Sequence, residues 1–90
     1  MTNIIWMPSA KDTYANILQD LHIDTALELD QKLEELVDKI KSFNHLCPTS
    51  KKFPAFRKCT INKQFSLAYS TDKKNVFIIA VFPNKTDAPF

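Results

Sequence analysis

Apolar residues change their spacing along this chain, and the changes divide it into elements. Asn3-Ile4-Ile5-Trp6-Met7 is a short apolar run rich in β-prone residues and closed by Pro8, which predicts a first strand. Ser9 then stands where a helix N-cap is expected, with Asp12 three residues on. Ala10, Tyr14, Ile17, Leu18 and Leu21 follow at helical spacing and predict a helix over 10–21. After the break at His22-Ile23, Asp24 or Thr25 is the expected cap of a second helix. Its apolar stripe is the clearest period in the chain: Ala26, Leu29, Leu33, Leu36, Val37, Ile40 and Phe43. Glu28–Lys32 and Glu35–Lys39 have the spacing and order of favourable helix pairs. Asn44 is the expected left-handed residue after the helix, because the chain has no glycine to take that conformation. The short break makes the two helices an antiparallel hairpin.

The period then shortens to two. Residues 46–54 carry two prolines and read as a loop, and 55–61 as the second strand. Asn62-Lys63 makes a tight turn in which Asn tolerates positive φ. Phe65, Leu67 and Tyr69 alternate with Ser66, Ala68 and Ser70 in the third strand. Asp72 to Asn75 turns the chain into Val76–Phe82, a run apolar on both faces, as a central covered strand requires. The tail from Pro83 to Phe90 reads as irregular. The prediction is a single α+β domain over residues 1–90, ordered β-α-α-β-β-β. The two-helix hairpin packs on one face of a mainly antiparallel four-stranded sheet.

Composition narrows the function classes. Ninety residues with 44% hydrophobic and 24% charged side chains suit one small globular domain. The apolar run Val76–Phe82 is too short to span a bilayer, and the first residues lack the basic and apolar regions of a signal peptide. A cytoplasmic protein without membrane partners is the expectation. Cys47 and Cys59 lack metal-ligand spacing, and His22 and His45 are isolated, so neither a metal nor a cofactor is implied. The cysteines are expected as two small buried or half-buried thiols, a disulfide being unusual in the cytosol. The net charge of +2 conceals a division: residues 1–45 carry −4 and residues 46–90 carry +6. The basic half offers either a surface for a polyanion or acidic partner, or a Lys-rich sheet edge that deters aggregation.

The element order resembles that of the RelE/ParE toxins, and local sequences resemble them too. Ile5-Trp6-Met7-Pro8-Ser9-Ala10 is similar to the family's junction of first strand and first helix. The long Leu- and Glu-rich second helix, ending in a proline-containing loop, is similar as well. Phe56 to Tyr69 resembles the hairpin core, with a basic residue on strand two and aromatic-x-Leu-x-Tyr on strand three. Val76–Phe82, followed by Asn84 to Pro89, resembles the closing strand and its polar tail. The resemblance implies the toxin of a bacterial type II toxin–antitoxin module, of the kind that serves plasmid stabilisation, neutralised by a cognate antitoxin. Its implied targets are DNA gyrase, or messenger RNA on the ribosome. Assembly as a homodimer or a toxin–antitoxin hetero-oligomer follows from the same likeness.

Ribonuclease chemistry by 2′-hydroxyl attack needs a base, an acid and cations against the phosphorane charge. By the resemblance, Arg57 and Lys85 are the catalytic candidates, and Arg57, Lys58, Lys63 and Lys85 are candidates for binding a partner or nucleic acid. Arg57 reads either as a phosphate clamp or as a solvent-facing strand residue. Lys58 alternates to the opposite face, so only one of the two can enter a given cleft. Ser66 stands where ribonuclease members carry an arginine. Tyr69 fits the core alternation, and Asp87 is the nearest ionisable base in the back half. These departures favour a ParE-like toxin without nuclease chemistry, with a RelE-like ribosome-dependent messenger ribonuclease as the alternative. An acidic antitoxin suits the basic half, seated between the helix hairpin and the sheet edge with Trp6 or Phe53 as anchors. Two further classes compete: a non-toxic nucleic-acid-binding module that stacks bases on the sheet aromatics, and a module that binds acidic proteins.

Overall fold

A computed structural model describes residues 2–84 of the chain. Six elements follow in order: β1 (Asn3–Trp6), α1 (Pro8–Asp20), α2 (Ile23–Ser42), β2 (Arg57–Thr60), β3 (Phe65–Thr71) and β4 (Asn75–Pro83). The sheet order is β1-β4-β3-β2. β1 runs parallel to β4, while β4–β3 and β3–β2 are antiparallel. The α+β expectation of a helix hairpin on a mainly antiparallel four-stranded sheet therefore holds. No described helix is long and apolar enough to cross a membrane.

The core lies between the helices and one sheet face. Ala10 from α1 and Leu33 and Ile40 from α2 meet Cys59, Leu67, Tyr69, Val76, Ile78 and Val81 from the sheet. The stripe on α2 buries fully only at Leu29, Leu33 and Ile40, and Phe43 at its end is exposed. The other sheet face holds a smaller cluster of Ala68, Ala80 and Phe82, with Ile79 packed against it.

One irregularity explains why β4 is apolar on both faces. Ala68 pairs with Ala80 and Tyr69 with Ile78, so Ile79 is an extra residue opposite β3. Such a bulge switches the alternation. Val76 and Ile78 face the helices before it; Val81 faces them after it, and Ala80 and Phe82 turn to the other side. Helix α1 satisfies the backbone there. The Ser9 hydroxyl donates to the Ile79 carbonyl at 2.9 Å, and the Val81 amide donates to Thr13 Oγ1 at 3.3 Å. Residues 9 and 13 are one helical turn apart, so both reach the same stretch of β4.

That arrangement corrects several local expectations. Ser9 does not cap α1; the helix starts at Pro8 with Met7 as N-cap, and proline suits the first turn because its missing N–H has no intrahelical partner. His22, not Asp24 or Thr25, caps α2, its side chain accepting from the Asp24 amide at 3.3 Å. Asn44 is not left-handed, since no non-glycine residue among those described has positive φ. The same fact corrects Asn62: its Oδ1 accepts from the Gln64 and Phe65 amides, each at 2.8 Å, closing the turn by a side chain. Strand β2 is shorter than 55–61 because Phe56 folds back, its amide donating to the Phe53 carbonyl. The helix pairs Glu28–Lys32 and Glu35–Lys39 do not close; between described residues only His22 and Asp24 approach, at 3.8 Å. Long exposed side chains gain little from fixing such a geometry.

The cysteines are also corrected. Cys47 and Cys59 form a disulfide, with Cα atoms 5.5 Å apart, rather than two thiols. The isolated bridge Thr49–Arg57 lays the post-helix loop along the β2 edge, which brings the two residues together.

Candidate functional site

Strand β2 sorts its two basic residues onto opposite faces, as strand alternation requires. Arg57 pairs with Tyr69 and Lys58 with Ala68. Arg57 and Tyr69 both reach the loop that follows α2. Arg57 Nη1 donates to the Cys47 carbonyl at 2.6 Å. The Tyr69 hydroxyl donates to the Asn44 carbonyl at 2.9 Å and accepts from the Cys47 amide at 3.4 Å. Tyr69 is fully buried. Burial pushes its hydroxyl above the ordinary phenol range, and the Cys47 amide and the Arg57 charge pull partly back. In this state both side chains act as struts of the loop.

Lys58 lies on the face away from the helices. Its ammonium sits over the Phe82 ring, 5.6 Å from the centroid, a cation–π distance. It also lines an open depression of about 490 Å³. Lys51 and Lys52 line the same depression from the loop, with the hydroxyl residues Thr49, Ser50 and Thr60. Three lysines and three hydroxyl residues line this space, with no carboxylate among its described lining residues, so it suits a phosphate or carboxylate ligand. Lys63 is elsewhere. It is exposed in the β2–β3 turn and lines a separate hollow with Glu28 and Lys32 of α2. Lys85 and Asp87 lie outside the described residues.

The structure thus separates the three sequence candidates that lie among the described residues. It leaves Lys58 at the depression, turns Arg57 to the loop and places Lys63 on the helix side. Sequence reasoning missed Lys51 and Lys52. Their signal was present as adjacent lysines in the basic half, but nothing in a loop's sequence says which strand it will follow. Ser66, where the resemblance leads one to look for an arginine in a ribonuclease, is buried and its hydroxyl donates to the Asn84 side-chain carbonyl. Asn84 in turn donates to the Asn62 carbonyl at 3.0 Å, so this polar cluster fastens the end of β4 to the β2–β3 turn. The aromatics are equally divided: Trp6 stacks near Tyr14, rings 5.7 Å apart, while Phe53 is exposed beside Phe56. Among the described residues no group of three His, Cys, Asp or Glu side chains is placed to hold a metal.

No protein-family description matches the sequence, and no curated relative does. Solved structures do match the fold. A chain of the chromosomal ParDE toxin–antitoxin system from P. aeruginosa superposes with a TM-score of 0.69 at 19% identity, over 92% of this chain and 96% of that one. The chain has the RelE/ParE toxin fold. A YoeB/ParE toxin from Agrobacterium tumefaciens superposes at 0.71 with 12% identity, over 92% of this chain and 99% of that one. A chain of the YoeB–YefM complex from Staphylococcus aureus gives 0.68 at 19% identity, over 91% and 95%. The RelE/ParE fold therefore spans nearly the whole length, although few residues are shared.

Proposed function

We propose that this chain is the toxin of a bacterial type II toxin–antitoxin pair, of the ParE kind, working in the cytoplasm without ribonuclease chemistry. DNA gyrase is its proposed target and a cognate acidic antitoxin its partner, in a toxin–antitoxin hetero-oligomer. The likeness to the ParDE chain over nearly the full length supports the toxin role. The observation that carries the ParE side is the closure of Arg57 and Tyr69 onto loop carbonyls. A guanidinium and a phenol that hold backbone are withheld from a phosphate and from proton transfer. Ser66, buried against Asn84, adds no cation on strand three.

A second reading is favoured by one observation, the three lysines of the depression. Lys51, Lys52 and Lys58 would hold a messenger phosphate, with Arg57 and Lys85 recruited on binding, as a RelE-like ribonuclease requires.

Mapping of RNA 5′ ends in a bacterial cell-free translation reaction separates the two. Intact message, with inhibition of gyrase in a supercoiling assay, is the expected result. New ends inside translated codons, absent without ribosomes, overturn the ParE reading. An effect on neither, together with no growth arrest on induction, overturns the toxin role.

A further inference from the structure

The Cys47–Cys59 bond stands at the entrance to the loop that forms one wall of the lysine depression. We propose that this disulfide is a redox-operated latch: a dithiol reductant opens it and frees the loop bearing Lys51 and Lys52 from the β2 edge. The inference stands independently of the toxin reading.

Cys47 is held through three of its atoms. Its amide donates to the Tyr69 hydroxyl, its carbonyl accepts from Arg57, and its sulfur is bonded to Cys59. Beyond it the loop clings to β2 by backbone bonds, Lys58 amide to Pro48 carbonyl at 3.1 Å and Ser50 amide to Phe56 carbonyl at 2.8 Å. Those bonds join a loop to the outermost strand, the class of contact that opens locally at low free energy. The disulfide is the one covalent tie across it. Lys58 belongs to β2, whereas Lys51 and Lys52 belong to the loop. Opening therefore separates the three cations and dissolves the depression.

The two sulfurs differ in access. Cys59 lies in the core at 2% exposure, while Cys47 is only half-buried. Exchange therefore enters at Cys47. One thiolate of the dithiol attacks Cys47 Sγ, the bond to Cys59 breaks, and Cys59 leaves as a thiolate that takes up a proton. The second thiol displaces Cys47 from the mixed disulfide. The reductant departs as its own disulfide, and two electrons and two protons have passed to the protein. A reversible bond of this sort is the form in which disulfides occur in reducing compartments.

The test is amide hydrogen exchange on the full chain, oxidised and then treated with dithiothreitol in native buffer, with thiol alkylation and intact mass to count free thiols. Exchange over 43–56 is expected to quicken by about tenfold to a hundredfold on reduction. β3 and β4 should stay unchanged, and reoxidation by glutathione disulfide should restore the slow rate. Cys47→Ala should show the fast rate with or without reductant. Equal exchange in both forms overturns the latch, and so does acceleration spread evenly over the sheet, which marks a staple of the whole fold. Two free thiols in the oxidised protein, or a bond that opens only in denaturant, overturn it as well.

Discussion

Replacing Tyr69 by Phe separates a strut from a catalyst. The substitution keeps the ring, which is fully buried, and removes only the hydroxyl. That oxygen bonds the Asn44 carbonyl at 2.9 Å and the Cys47 amide at 3.4 Å. The second bond is long and contributes little. The first is a good neutral hydrogen bond, and its loss leaves a half-buried carbonyl to find water. One such bond contributes about 1 kcal/mol, and an orphaned buried partner costs about 1–3 kcal/mol. Asn44 is not fully enclosed, so the cost falls at the lower end, about 1–2 kcal/mol. For a domain of this size that lowers Tm by roughly 5–15 °C. Urea unfolding is the assay, with the midpoint lowered and the slope unchanged. Growth arrest per folded molecule should stay as in the parent. Unchanged stability with growth arrest lost would mean that the hydroxyl acts on a substrate and is no strut of the loop.

Ser9→Ala and Thr13→Val each remove one partner of the β4 bulge and should cost about 0.5–1.5 kcal/mol. Their double mutant should depart from additivity in urea unfolding, because both serve the same irregular stretch of backbone. Converting Lys51, Lys52 and Lys58 together to Ala should flatten the salt dependence of binding to a labelled single-stranded RNA by about 2 in the logarithmic slope, read by anisotropy. An unchanged slope would remove the depression as an anion surface. The pH dependence has a definite sign. Tyr14 is held above the ordinary phenol range by burial first and then by its 2.7 Å hydrogen bond to Asp30, and Tyr69 by burial. The folded state keeps these protons while the unfolded chain releases them near pH 10. Their contribution is therefore complete below about pH 10 and is lost as pH rises above it. The stability gap between the parent and Tyr14→Phe should hold below about pH 10 and narrow steadily as pH rises above it, the lysine titration being common to both.

Local periodicity was a good guide where one element packs by a simple rule. Leu29, Leu33 and Ile40 could be read as the buried side of α2 because helical spacing alone puts them on one face. Phe65, Leu67 and Tyr69 could be read as one face of β3 for the same reason with period two. The start of α1 was misread because the polar residue with the best capping chemistry had another use. Ser9 answers a carbonyl seventy residues away, so the cap falls to Met7 and the first turn to Pro8. At the site, alternation correctly set Arg57 and Lys58 on opposite faces. Which face held a loop and which held open space depended on where residues 44–52 came to lie.

The element order, the α+β class, the apolar faces and the split between an acidic front half and a basic back half are written in the order of the residues alone. Each of these follows from spacing or composition within a short window. The parallel pairing of β1 with β4, the bulge at Ile79, the disulfide, and the gathering of Lys51 and Lys52 beside Lys58 emerge only once the chain is folded. Those features arise between segments far apart in the chain, where the partner of a backbone group or a thiol is chosen by packing rather than by its neighbours.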